Sequence, residues 1–403
     1  MRTSIALVPT ALLAVLSFLP GFFPHWVPPV EARNPPRTIR IAAICAFAGP
    51  PAPSNALSVE GARLCVLEIN RAGGLLGRPV ERVELDNQST PIGSKAGPEW
   101  SSHALPAVRV AQRADIPMGA RIATSPDATK VGDFVFRARF TDRFQGEVMA
   151  RFARSRFFQP AGAVIFADII SDHSMALSAE FQKWFEALGG VVPARVACRR
   201  SQESFDGTAR KALAAKPDPL FLPGRDGAAR ILEAAGRLGL SATPPGGDGW
   251  GTPYFLEKGG NRLPEGFYWV HWAPGMDTPA SRAFLAKCRP RGDRVYPSHA
   301  PAHAPAHAPA HAPAHDAVSM LADAFRRAGS DHPQRVRKAL AATWKFPTAS
   351  GSITFDRNGD PDGKTAGILK REGGRWRPFR ALGPDGAPLR HPGTSANMGE
   401  TIQ

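Results

Sequence analysis

The sequence predicts an α/β protein made of two doubly wound, parallel-sheet lobes joined by three hinge crossings. Three observations predict it: a strand–helix–strand unit near the start, the same grammar again from Gly162, and three extended segments set between or after those stretches.

Residues Ile39 to Phe47 form a short apolar run closed by Ala48-Gly49-Pro50, the pattern of a buried strand. Gly61 to Arg71 reads as a helix with Leu64, Val66 and Leu67 inward, stopped by Gly73-Gly74, because glycine accepts the left-handed conformation that ends helices. Pro79 to Leu85 is a second strand. In the later stretch Gly162 to Phe166 is a strand, and Leu177, Phe181, Trp184, Phe185 and Leu188 fall on one helical face before Gly189-Gly190. Val191 to Ala197 and Pro219 to Leu222 are further strands. Ala228 to Leu238 is a helix with Ile231, Leu232 and Ala235 inward. The crossings are Phe134 to Phe140, Phe267 to Trp272 and Ser352 to Phe355; several crossings make a hinge about which lobes can close. Trp250, Trp269 and Trp272 are expected to pack in the core or hinge.

Composition removes several function classes. The 403 residues carry 50 Lys+Arg against 35 Asp+Glu, a net charge of +15, and are 43% hydrophobic, too apolar for a disordered chain. The arginines are scattered without a basic block or a nucleic-acid motif, so no nucleic-acid partner is expected. No P-loop, dinucleotide fingerprint or nucleophile elbow occurs, so neither an enzyme nor a cofactor is expected. Met1-Arg2 begins a short basic start, Ile5 to Phe23 is apolar, and Val30-Glu31-Ala32 fits a cleavage site; residues 1–32 read as a signal peptide, which makes the protein exported and periplasmic. Cys45, Cys65, Cys198 and Cys288 form no metal spacing, and the first two are expected as buried free thiols.

Several motifs occur in a telling order. They are Glu60-Gly61-Ala62, Glu68-Ile69-Asn70-Arg71-Ala72-Gly73-Gly74, Ala123-Thr124-Ser125-Pro126-Asp127, Phe134-Val135-Phe136-Arg137, Gly247-Asp248-Gly249-Trp250 and Ile353-Thr354-Phe355-Asp356. From about Ile39 to Ile368 the chain resembles the branched-chain amino-acid-binding family of periplasmic substrate-binding proteins, the type I class that serves ABC importers. The resemblance implies a monomer that binds an amino acid, an amide or a small organic acid between its lobes and docks on a membrane permease. It implies a first lobe of residues 33–138 with 271–350, a second of 139–270 with 351–380, and a flexible tail from 381 to 403. Ser101, Ile122, Ala123 and Thr124 match the positions that hold the ligand's carboxylate and amino group, and Asp248 matches the acid that pairs with the ammonium. Hydroxyls and free N–H groups at helix starts such as Ser101 and Thr124-Ser125-Pro126 suit a carboxylate on chemical grounds as well.

Other positions depart from the family pattern. Asp172-His173 stands where the family places a Tyr after an Asp, and Arg225-Asp226 replaces aromatic residues; His173 and Arg225 are therefore candidate ligand contacts, with Arg225 favouring an additional negative group or simply pairing with Asp226. The interval from Gln88 to Gly97 is short, so the first lobe is expected to lack one α/β unit. His299, His303, His307, His311 and His315 recur in an Ala-Pro-Ala-His repeat whose prolines are expected to forbid a helix and leave an extended chain. Asp356 to Asp360 is expected as a hairpin turn, because Pro361 replaces the glycine that a calcium loop needs. The shortened lobe and the repeat also leave open a degenerate or sensory paralogue that does not transport.

Overall fold

The structure is a computed structural model that describes residues 38–45, 47, 52–86, 101–120, 123–156, 162–199, 201–215, 220–224, 227–239, 245–251, 255, 268–272, 279–287, 304–373 and 375–387. Strand β1 (Ile39–Cys45) leads through α1 (Ala52–Arg71) to β2 (Val80–Asp86), with which it pairs in parallel from Ile39↔Val80 to Cys45↔Asp86. Helix α1 begins at Ala52 rather than Gly61. Its buried stripe is Ala62, Cys65, Val66 and Ile69, while Leu67, one residue around the helix from Val66, is exposed and Leu64 half-buried. After α1, Gly74 turns the chain at φ +80°, and a Cβ there would lie 2.1 Å from the Arg78 carbonyl oxygen, so only glycine fits.

Next come α2 (Ser101–Arg113), β3 (Met118–Ala120) and β4 (Val135–Arg137), the two strands again parallel from Met118↔Val135. Among the described residues β1–β2 and β3–β4 are separate two-stranded sheets. The shortened interval between Gln88 and Gly97 lies outside those residues.

The following run alternates helix and strand: α3 (Asp142–Arg156), β5 (Val164–Asp168), α4 (Asp172–Ala187), β6 (Ala194–Cys198), α5 (Asp206–Ala214), β7 (Leu220–Phe221), α6 (Ala228–Arg237), β8 (Pro245–Gly246) and β9 (Tyr268–Trp272). It continues with α7 (Pro279–Lys287), α8 (Ala304–Ala328), α9 (Pro333–Ala341), β10 (Phe346–Thr348), β11 (Gly351–Phe355), β12 (Pro361–Asp362), β13 (Ala366–Glu372) and β14 (Arg375–Leu382). Parallel strands run in the order β6-β5-β7, a Leu222↔Gly246 bridge joins β7's end to β8, and β8-β9-β13-β14 completes the sheet, with β13 antiparallel to both its neighbours. The β13–β14 hairpin has no counterpart in the sequence expectation. It carries Ala381 and Leu382 into the core, so the expected tail at 381 begins in a buried strand, and the described chain continues in a turn to Ala387.

The helical periodicity from Leu177 is met: Leu177, Phe181 and Phe185 are fully buried, and Phe181 stacks on Phe221 with centroids 3.9 Å apart. Trp250 is buried against Phe255 at 5.0 Å, as packing. The side chains of Trp269 and Trp272 lie outside the described residues. Cys45, Cys65 and Cys198 are buried, and burial pushes the Cys65 and Cys198 thiols up to about 12. Asp356 makes the expected turn, its Oδ1 accepting from the N–H of Asn358 at 2.8 Å and of Asp360 at 2.9 Å. No helix among the described residues is long and apolar enough to cross a membrane.

The histidine repeat corrects the expectation of an extended chain. Helix α8 includes Pro305, Pro309 and Pro313. Their four-residue spacing explains why the helix survives: each missing N–H would have bonded the carbonyl of the preceding proline, so the losses fall in one column of the ladder and the other columns keep their donors. Ala314, Val318 and Ala322 of α8 bury against Ala62, Cys65, Val66 and Ile69 of α1, and this packing offsets the missing bonds. Replacing Pro309 by Ala restores one donor, and urea denaturation should show a gain of up to about 3 kcal/mol; an unchanged midpoint would mean that α8 does not extend through Pro309.

Candidate functional site

The site is built on the exit of β4. Arg137, the last residue of that strand, is wholly buried, and a guanidinium there must find acceptors. Its Nη1 donates to the Ala123 carbonyl at 2.5 Å, Nη2 to the Ser125 carbonyl at 2.7 Å, and Nε to Asp360 Oδ1 at 2.8 Å. Thr129 Oγ1 donates to the same Asp360 oxygen at 2.9 Å. These bonds fix the loop Ala123 to Ser125, which then enters a short 3₁₀ turn, Pro126–Ala128, where Ser125 Oγ accepts from the Asp127 N–H at 3.4 Å. The Thr124-Ser125-Pro126 helix start expected from the sequence is this turn.

Two residues beyond Arg137, Arg139 is also buried, and its Nη2 lies 2.5 Å from Asp248 Oδ2. Asp248 opens the 3₁₀ turn Asp248–Gly251, and its N–H donates to Gln145 Oε1 at 2.7 Å. His173, in the first turn of α4, joins the two halves of this arrangement. Its Nδ1 is 2.9 Å from Asp142 Oδ1 and 3.1 Å from Thr124 Oγ1, and its Nε2 is 3.3 Å from Asp248 Oδ1. The Asp142 N–H closes the circuit by donating to the Thr124 carbonyl at 2.8 Å.

Burial alone would lower the His173 pKa, but the charges of Asp142 and Asp248 and their hydrogen bonds outweigh it and raise it from 6.5 to about 10. His173 is therefore an imidazolium at neutral pH. Both ring nitrogens then donate, so the Thr124 hydroxyl can only accept from it and keeps its own proton for another acceptor. The four charges, Arg139 and His173 against Asp142 and Asp248, sum to zero, the condition under which buried charge is tolerated.

Three of the sequence-predicted residues, Thr124, His173 and Asp248, come together here. Ala123 is adjacent, its carbonyl turned to Arg137. Ser101 starts α2 as expected, though its side chain, together with Ile122 and Arg225, lies outside the described residues. The sequence reading does not single out Arg139, Asp142 and Gln145. They stand in and just before a helix, Asp142–Arg156, that is rich in other charged residues, so nothing local sets them apart from surface side chains.

Three buried polar atoms of this network have neither a hydrogen-bond nor an ion-pair partner among the described residues: Arg139 Nε, Gln145 Nε2 and Asp142 Oδ2. Such atoms are uncommon in folded proteins and mark a place for another molecule or for water. An open cavity of about 570 Å³ lies elsewhere, lined by Arg151, Phe152, Arg154, Leu188 and Arg380. None of the network's side chains lines it, and its Arg151 and Arg154 are held by Glu147 and the Leu188 carbonyl. Among the described residues no group of three metal-ligating side chains converges.

Comparison with known proteins places this geometry in context. The sequence profile described as periplasmic binding protein matches residues 38–99 and 95–367. The chain is 25% identical to the leucine-, isoleucine-, valine-, threonine- and alanine-binding protein of Pseudomonas aeruginosa, over 80% of this chain and 87% of that one. It is also similar to the crystal structure of a leucine-binding protein from Thermotoga maritima, at a TM-score of 0.76 and 28% identity, covering 86% of this chain and 99% of that one. A branched-chain amino acid transporter substrate-binding protein from Streptococcus pneumoniae, solved with isoleucine, shares the fold at a TM-score of 0.74 and 23% identity, covering 86% and 100% of the two chains.

Two outcomes follow from the geometry. Arg137→Met leaves two carbonyls without their donor and Asp360 with only the Thr129 hydroxyl, and should cost about 3–5 kcal/mol in urea denaturation; a loss under about 1 kcal/mol would show that the loop is held by other contacts. Because the folded pKa of His173 exceeds its unfolded value, its stabilisation is complete below about pH 6.5 and is lost as pH rises through about 10. The melting temperature of the native protein should therefore fall relative to His173→Gln between those limits, and parallel curves for the two proteins would contradict the assignment.

Proposed function

The chain belongs to the periplasmic binding protein family, and from that premise we propose that it is the extracytoplasmic solute receptor of an ABC importer. It is a substrate-binding protein rather than an enzyme. The ligand is an amino acid or a related small organic molecule, held between two lobes that close about the hinge crossings and released to a membrane permease. The lobes of this proposal are residues 33–138 with 271–350 and residues 139–270 with 351–380, preceded by an export signal in 1–32.

The observation that carries the reading is the contact between Thr124 Oγ1 and His173 Nδ1 at 3.1 Å, because the two residues belong to opposite proposed lobes. A bridge of this kind exists only when the lobes are together, and a ligand shifts the balance toward that state only by contacts made there alone. Ser101, Ile122, Ala123, Thr124, His173, Arg225 and Asp248 are the proposed contact set, to which the network adds Arg139, Asp142 and Gln145. The Pseudomonas aeruginosa relative, named for binding leucine, isoleucine, valine, threonine and alanine, gives the first panel to try.

Thermal melting with amino acids, amides and small organic acids tests the proposal. At least one compound should raise the midpoint, with stabilisation near 2.7 kcal/mol at a concentration about a hundredfold above its Kd. A cooperatively folding preparation that no compound shifts would contradict it.

A further inference from the structure

Resting on the solute-receptor reading, we infer that this site takes a small organic carboxylate that lacks the free α-ammonium of an amino acid. The reason is the inventory of hydrogen-bonding atoms. An ammonium brings three N–H donors and needs acceptors, whereas a carboxylate brings two oxygens and needs donors.

All but one of the acceptors around the network are engaged, the exception being Asp142 Oδ2. The Ala123 carbonyl receives Arg137 Nη1 at 2.5 Å. Asp248 Oδ2 faces Arg139 Nη2 at 2.5 Å and Oδ1 faces His173 Nε2 at 3.3 Å. Asp142 Oδ1 holds His173 Nδ1, and the Thr124 carbonyl receives the Asp142 N–H. The acid expected to meet an ammonium is thus neutralised by two cations of the protein itself. To bind there, an ammonium would have to displace a buried arginine from its carboxylate, leaving a charge unpaired in low dielectric at a cost of several kcal/mol.

The donors show the opposite. With His173 Nε2 facing Asp248, two N–H donors of the network are left without a partner among the described residues, Arg139 Nε and Gln145 Nε2, and one acceptor, Asp142 Oδ2. The Thr124 hydroxyl adds a third donor, since its oxygen already accepts from His173. The net charge of the four ionised groups is zero, so long-range field does not choose between ligands, and unsatisfied donors against one acceptor do. Hydrogen bonds to a charged partner are among the stronger ones, which makes a carboxylate the natural complement.

Isothermal titration of matched pairs reads this directly: L-leucine against 4-methylpentanoate, L-isoleucine against 3-methylpentanoate, and L-phenylalanine against 3-phenylpropanoate. The inference expects at least one carboxylate to bind tenfold or more tightly than its amino-acid partner. An amino acid that binds more tightly than every carboxylate overturns the inference and leaves the receptor reading standing. If no member of any pair binds, the receptor reading falls and the inference with it. Gln145→Glu keeps an acceptor for the Asp248 N–H but exchanges the Nε2 donor for an oxygen; it should weaken the best carboxylate at least tenfold, and unchanged affinity would overturn the donor assignment.

Discussion

Burying a guanidinium without acceptors is prohibitive, and one short stretch leaving β4 buries two, Arg137 and Arg139. Arg137 gathers the Ala123–Ser125 loop from one side and the Asp356–Asp360 turn from the other. Arg139 gathers the turn that begins at Asp248. Segments separated by more than two hundred positions in sequence are thereby held to one strand exit. The site is a consequence of satisfying those two cations.

His173 extends the same logic across the molecule. Between two carboxylates it stays protonated, and as an imidazolium it ties Asp142, Asp248 and Thr124 together. Each link uses a polar atom that would otherwise be available to a ligand, so the network decides chemistry as well as shape. All but one of the named acceptors are consumed within the protein, and the donors Arg139 Nε and Gln145 Nε2 are left over. A receptor built this way differs from one whose acidic residue waits unpaired for an ammonium, even when both share one backbone.

Much of the fold was legible because burial writes a period into sequence. Phe181 and Phe185 announce the inner face of α4, and Gly73-Gly74 announces the end of α1. Leu67 was misplaced because neighbouring apolar residues on a helix cannot all face inward. The α8 helix was misread because a proline count treats each residue separately, whereas spacing puts the lost bonds in one column and α1 supplies the packing. Of the site, Thr124 and Asp248 are visible through ordered motifs, and His173 through its departure from the family pattern. Arg139 and Gln145 were not, since a buried arginine or glutamine looks like a surface one until its partner, distant in sequence, is known. The pairing of Arg139 with Asp248 is a tertiary fact with no local trace.

The claim on which the rest turns is that Arg139 and Asp248 already neutralise each other in the ligand-free protein. A double-mutant cycle of Arg139→Met and Asp248→Asn, measured by urea denaturation without ligand, tests it most directly. A coupling energy above about 1.5 kcal/mol is predicted for a close buried charge pair. Effects that add within about 0.5 kcal/mol would show the two side chains to be independent and Asp248 to be open to a ligand's cation after all.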